Sequence, residues 1–146
     1  MAGKDSGSGL SKDEREALKA RTKELREQEK AGKNREAGLK SVLAAIEQMD
    51  GDDRVIAEGL HQVVTEVAPE LVPKTFYGMP GYANSDGKVL VFVQAAKKFK
   101  ARYATIGFQD NAQLDDGELW ATGYAVLSWS ESVKERFSEL VKKAVS

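Results

Sequence analysis

The spacing of apolar residues changes once along this chain, and that change sets what it can fold into. Leu39, Val42, Leu43, Ile46 and Met49 recur at helical spacing, as do Ile56, Leu60, Val63 and Val67. After Pro73 the period falls toward two, and Val89, Val91 and Val93 alternate with Leu90 and Phe92. Ala68-Pro69 marks the end of the second helix, because proline lacks an N–H and restricts the residue before it. Ser130 then opens a last helix with Val133, Phe137, Leu140, Val141 and Ala144 on one face. Helices, then strands, then a helix predict an α+β fold, a twisted antiparallel β-sheet packed by N-terminal and C-terminal helices. There are no internal repeats.

Local signals divide the β-rich half further. Residues 74–79, KTFYGM, read as a short strand, and Pro80-Gly81 as a turn or bulge. Asn84-Ser85-Asp86-Gly87 reads as a hairpin turn. Lys88 to Gln94 is apolar at both parities, which predicts a strand covered on both sides. Lys100 to Phe108 and Leu119 to Leu127 read as further strands, separated by a polar loop over Gln109 to Gly117. Asp50-Gly51-Asp52-Asp53 breaks the chain between the first two apolar helices and can cap the second.

The N-terminal segment follows other rules. Residues 1–9 are Gly/Ser-rich and charged, the composition of a disordered stretch. Ser11-x-x-Glu14 is a capping-box signature, so a helix is expected from there through Lys30. Its only large apolar residues are Leu18 and Leu25, each able to contribute roughly 1.5–3 kcal/mol if fully covered. That is too little to dock such a helix firmly. Gly32 and Gly38 weaken its continuation. Residues 1–40 hold 11 Lys/Arg and 8 Asp/Glu, whereas residues 41–146 hold 11 and 15. The boundary is therefore placed at 38: a charged, partly helical arm over 1–38 and an α+β domain over 39–146. The arm is either a solvated appendage or a partner- or RNA-touching device. Its mixed signs favour the first.

Composition excludes several classes of function. The net charge of −1 provides no field to draw nucleic acid or an anionic membrane. The absence of cysteine removes disulfides, thiolate nucleophiles and cysteine metal sites. No apolar run approaches a membrane span, and MAGKDSGSGL lacks the apolar core of a signal peptide, so a cytoplasmic, monomeric protein is expected.

No catalytic constellation emerges. The motif of a P-loop, a dinucleotide fold, a zincin or a nucleophile elbow is absent. Glu58 and the only histidine, His61, have the spacing of a di-iron ligand pair, but no second copy exists. On a helical wheel they fall about 200° and 140° from Ile56, which predicts the solvent side. Asp110, Asp115, Asp116 and Glu118 crowd one loop and could serve a hard cation, or form an ordinary acidic loop with an Asp-Gly turn. Lys97, Lys98, Lys100 and Arg102 interleave with Phe99 and Tyr103, which suits solvated strand edges or an anion or nucleotide contact. The strongest candidate is the bend Tyr77-Gly78-Met79-Pro80-Gly81-Tyr82. Two glycines allow unusual backbone, two tyrosines bring apolar faces with hydroxyl handles, and Met79 adapts its shape. The stretch is either a bulge with core aromatics or the rim of a pocket or partner surface.

The run APELVPKTFYGMPGYANSDGKVLVFVQAAKKFKARYATIGF resembles the YdhG-like family of small bacterial domains of unknown function. The likeness rests on Ala68-Pro69, Tyr77-Gly78-Met79-Pro80, Gly87-Lys88 and Lys98-Phe99-Lys100, with LDDGELWATGYAV similar to a subgroup, and covers roughly residues 40–145. It implies a twisted antiparallel sheet packed by terminal helices. Some relatives are described as frataxin-like iron chaperones, and others sit in proteins linked to bacteriocin protection. The resulting expectation is a non-enzymatic binding or adaptor module for a small molecule or protein. Its working surface would be Tyr77 to Tyr82, with Phe92 and Lys98 nearby. The alternatives are an iron or other metal chaperone using Asp110, Asp115, Asp116 and Glu118, and an enzyme with carboxylate and tyrosine acid–base groups. No resident cofactor is expected, iron being the one metal the resemblance raises.

Overall fold

The computed structural model describes residues 11–146. The stretch over 1–9, read as disordered, lies outside the described residues. The elements are α1 (Lys12–Glu47), α2 (Gly51–Val67), β1 (Val72–Pro73), β2 (Gly81–Ala83), β3 (Val89–Gln94), β4 (Ala104–Phe108), β5 (Gly123–Val126) and α3 (Glu131–Val145). This is an α+β fold. Compact units divide between Glu36 and Ala37.

In the first unit Ser11 caps α1 by accepting a hydrogen bond from the Glu14 N–H at 3.1 Å, while its hydroxyl donates to Glu14 Oε1 at 3.2 Å. The carboxylate thus grips the capping hydroxyl rather than the capping backbone N–H of the usual box. Leu18 and Leu25 are exposed.

The expected weakening at Gly32 and Gly38 is corrected, since both stay within α1. One interior glycine costs only about 1 kcal/mol relative to alanine, and good helix formers surround each. Gly38 has a packing reason as well: a Cβ there would collide with the carbonyl of Pro73. Val42 and Ile46 enter the core, but Leu43, expected on the same face, is exposed.

The sheet is antiparallel throughout, in the order β1-β2-β3-β4-β5. Its register sorts side chains onto two faces. Tyr82, Val91 and Phe108 are direct cross-strand neighbours, as are Val93, Ile106 and Tyr124. These residues pack with Ile56, Leu60 and Val63 of α2 and Phe137 and Val141 of α3 into one cluster. The opposite face carries the row Gly81, Phe92, Gly107 and Gly123. Here β3 departs from the expected double cover, because Phe92 and Gln94 are only half-buried. The Phe92 ring lies across Gly107, where a Cβ would strike it. A bulge between Tyr82 and Ala83 lets Leu90 join the core cluster.

Several strand boundaries differ from the expectation. KTFYGM is not a strand but a loop closed by a single bridge between Phe76 and Met79. The first four residues of the Lys100–Phe108 segment lie outside β4, and residues 119–122 lie outside β5. Residues 100–102 and 119–122 are exposed, so pairing there would bury no apolar face, and the ladder starts later. The Asn84–Gly87 turn forms as read: Asn84 Oδ1 accepts from the N–H groups of Asp86 and Lys88 at 3.0 and 3.1 Å. Ser130 caps α3 by accepting from the Val133 N–H at 3.3 Å. Among the described residues, no helix is long and apolar enough to cross a membrane.

Candidate functional site

The Tyr77-Gly78 pair forms a two-residue hairpin turn. Phe76 and Met79 exchange both backbone hydrogen bonds, at 2.8 and 2.9 Å. Tyr77 and Gly78 take positive φ values of 51° and 80°, the signs of a type I′ turn. Asparagine or glycine is the usual first residue of such a turn. A tyrosine in this region carries steric strain on the order of 1 kcal/mol. Tyr77 is nonetheless 85% exposed, so little burial offsets that strain. Its ring meets the edge of Phe76, which in turn stacks at a tilt on Phe92 with centroids 5.1 Å apart. A bulky aromatic held in strained backbone at a surface tip is a pattern of functional sites.

Beneath this turn lies a cavity of about 360 Å³. Ala45 in the last turn of α1 and Met49 just after it wall one side, and Gly78 and Met79 of the turn another. The segment after β3 closes it with Ala95, Lys97, Lys98 and Phe99. Asp53, in the first turn of α2, holds that segment in place. Its two carboxylate oxygens accept hydrogen bonds from the successive N–H groups of Ala96 and Lys97, at 2.9 and 3.0 Å. Expected as a helix cap, Asp53 instead ties α2 to the loop after β3; Asp50 occupies the capping position without a side-chain capping bond. The Asp50 carboxylate pairs with the Lys97 ammonium at 3.0 Å.

Those contacts leave Lys98 as the distinctive charge. Its ammonium lies 3.4 Å from where a side chain on Gly78 would begin, and 5.7 Å from the Phe99 ring centroid. Among the described residues it has no carboxylate partner within ion-pair distance, whereas both acidic groups of the lining are engaged. The arrangement can hold an apolar group among methionines, alanines and Phe99, with an anion at the Lys98 end.

The structure divides the remaining expected site residues. Gly78, Met79 and Lys98 come together at the cavity. Tyr82 does not join Tyr77 at a common lip, and this is a correction: Tyr82 is 1% exposed and belongs to the core, while Pro80 and Gly81 are buried outside the core cluster. The reason is parity. The turn reverses the chain, β2 then pairs with β3, and Tyr82 falls opposite Val91 on the helix-covered face. Phe92 points to the other face, where it supports Phe76.

His61 is likewise corrected. The helical wheel assigns it to solvent, yet it is half-buried and its Nδ1 lies 2.8 Å from the Tyr82 hydroxyl. Burial pushes the imidazole below its ordinary pKa and the Tyr82 phenol above its own. The wheel failed because β2 reaches the flank of α2, so the buried arc is wider than its apolar residues show. Lys97, Lys98, Lys100 and Arg102, read as strand edges, belong instead to the β3–β4 connection. Asp110, Asp115, Asp116 and Glu118 are exposed and do not converge: among the described residues no group of three His, Cys, Asp or Glu side chains could hold a metal ion.

Asp53, Met49, Ala45 and Ala95 were not legible as site residues. Phe99 was visible only as part of a basic, aromatic run. Comparison with protein-family models, curated proteins and solved structures finds no match to the chain.

Proposed function

We propose that this protein is a non-enzymatic binding module, and that the cavity under the Tyr77-Gly78 turn takes a small apolar anion such as a carboxylate. The carrying observation is the pairing of a largely apolar cavity with Lys98, a rim cation without a carboxylate partner among the described residues. Tyr77 lies at the tip of the turn that walls the cavity. The perturbed pair His61 and Tyr82 does not line the cavity, so it offers no acid or base to a bound ligand. The Tyr-Gly-Met-Pro segment behind the YdhG-like resemblance is the segment that builds this turn.

Octanoate and octylamine, matched in chain length and opposite in charge, test the reading by amide chemical-shift titration. Octanoate is expected to shift Met49, Met79 and Ala95 to Phe99, and octylamine to bind more weakly. Replacing Lys98 with Gln removes one charge-assisted contact, so octanoate affinity falls by about tenfold, equivalent to ~1.4 kcal/mol. Equal binding of the two probes, or shifts confined to other surfaces, defeats the proposal.

A further inference from the structure

The charged arm carries a pattern that its composition conceals. Residues 12–36 form one uninterrupted stretch of α1 within the first compact unit. At about 100° per residue, Lys12, Arg15, Lys19, Lys23, Arg26, Lys30 and Lys33 fall within an arc of about 80°. No other residue of 12–36 falls in that arc, so the strip is wholly Lys and Arg. Lys33 joins it because the helix continues through Gly32. All of them are exposed. From Lys12 to Lys33, at about 1.5 Å per residue, the row is about 32 Å long.

The carboxylates lie elsewhere on the helix. Asp13, Glu16, Glu24 and Glu27 gather on the flank beyond Lys23, while Glu14, Glu29 and Glu36 lie on the side of Leu18 and Leu25. Arg21 and Arg35 are the remaining cations, on the face opposite the row. Among the described residues no carboxylate lies within ion-pair distance of any cation of the row. A solvated helix usually alternates signs along a face, so that neighbours three or four apart attract. Here each successive pair along the row is cation beside cation, which works against the helix that bears it. The signs that argued for a solvated appendage are mixed in sequence and sorted in space.

We propose that the row from Lys12 to Lys33 binds the phosphate backbone of duplex DNA without reading its sequence. Duplex DNA presents one negative charge per about 1.7 Å of axis, so a length equal to the row more than matches its cations. Contact turns the repulsion along the row into attraction and releases counterions. Residues 12–36 contain no aromatic residue, so the arm lacks the stacking platforms of a single-strand binder. Duplex RNA is read largely through its 2′-hydroxyls, and a strip of Lys and Arg offers them no acceptor. Leu18 and Leu25 make too small an apolar face for a lipid surface. A second copy also fits poorly: its four-carboxylate flank would leave cations unmatched, with no apolar residue between the two flanks. The net charge of −1 does not oppose the contact, since charges beyond about 10 Å are largely screened at 0.1 M salt.

Fluorescence anisotropy of the full chain with a labelled DNA duplex of arbitrary sequence, from about 50 to 200 mM salt, tests the proposal. The logarithm of the binding constant should fall against that of the salt concentration with a slope of about −6 if the whole row engages. Lys23→Glu with Glu24→Lys, combined with Arg26→Glu and Glu27→Arg, keeps composition and net charge but breaks the row. The slope should shrink to about −3, with at least about tenfold weaker binding at the lowest salt. Should circular dichroism show that these exchanges disturb the helix, Lys19→Gln with Lys30→Gln keeps good helix formers and should shrink the slope by about 2. No binding at the lowest salt, or binding unchanged in the folded variants, overturns the proposal. So does tighter binding to duplex RNA, to poly-glutamate standing for an acidic protein, or to phosphatidylserine vesicles.

Discussion

Replacing Asp53 tests whether the cavity wall depends on one carboxylate. In Asp53→Ala two successive N–H groups, those of Ala96 and Lys97, lose their acceptor. A hydrogen bond to a charged group is worth about 1.5–3 kcal/mol. Asp53 is half-buried, so water partly replaces it, and the two losses are not additive. The expected destabilisation is about 2–3 kcal/mol. At a urea m-value of about 1.5 kcal/mol per M this moves the unfolding midpoint by roughly 1–2 M. Asp53→Asn should fare nearly as badly: its carbonyl can accept from one N–H, but its NH2 then faces the other donor. Two controls separate the causes. Asp52→Asn, in the same first turn of α2, removes the charge that favours the helix dipole and should cost about 0.3–1 kcal/mol. Asp50→Ala breaks an ion pair whose side chains are 76% and 71% exposed, and should cost under about 1 kcal/mol. The assay is equilibrium urea unfolding followed by tryptophan fluorescence. A loss below about 1 kcal/mol in Asp53→Ala, or one equal to that of Asp50→Ala, would refute the argument that Asp53 holds the loop.

Other substitutions probe the remaining parts. Tyr77→Asn suits a type I′ turn better, so it should leave stability unchanged or raise it by up to about 1 kcal/mol in urea unfolding; a clear loss would show that the exposed ring supports the fold. Gly107→Ala should cost about 1–3 kcal/mol, because the new methyl meets the Phe92 ring; an unchanged unfolding midpoint would mean the ring moves aside freely. His61 has a depressed pKa when folded, so the unfolded chain binds the extra proton first and stability should fall as pH drops below 6.5. The slope is at most about 1.4 kcal/mol per pH unit for one group, and His61→Gln should flatten it below about pH 6.5. An identical pH profile in the variant would contradict the assignment.

The α+β order was written in the chain because hydrophobic period is a local property. The caps at Ser11 and Ser130 and the Asn84 turn were legible for the same reason: each is completed within four residues. A bend in this stretch announced itself through its glycines, but the sequence placed the turn at Pro80-Gly81, whereas it forms at Tyr77-Gly78 and Gly81 opens β2. Which residues of that bend face water was not announced. Tyr77 and Tyr82 look alike in sequence, and only the register of β2 against β3 sends one outward and the other into the core. The cavity depends on longer separations still. Asp53 meets Ala96 and Lys97 across more than forty residues, and Met49 and Met79 share the cavity only because the chain after α1 and the turn converge. His61 finds Tyr82 the same way. Local sequence determined the elements and their ends. Tertiary packing alone decided which side chains share a surface, because a direct contact between distant residues leaves no periodic trace in either segment.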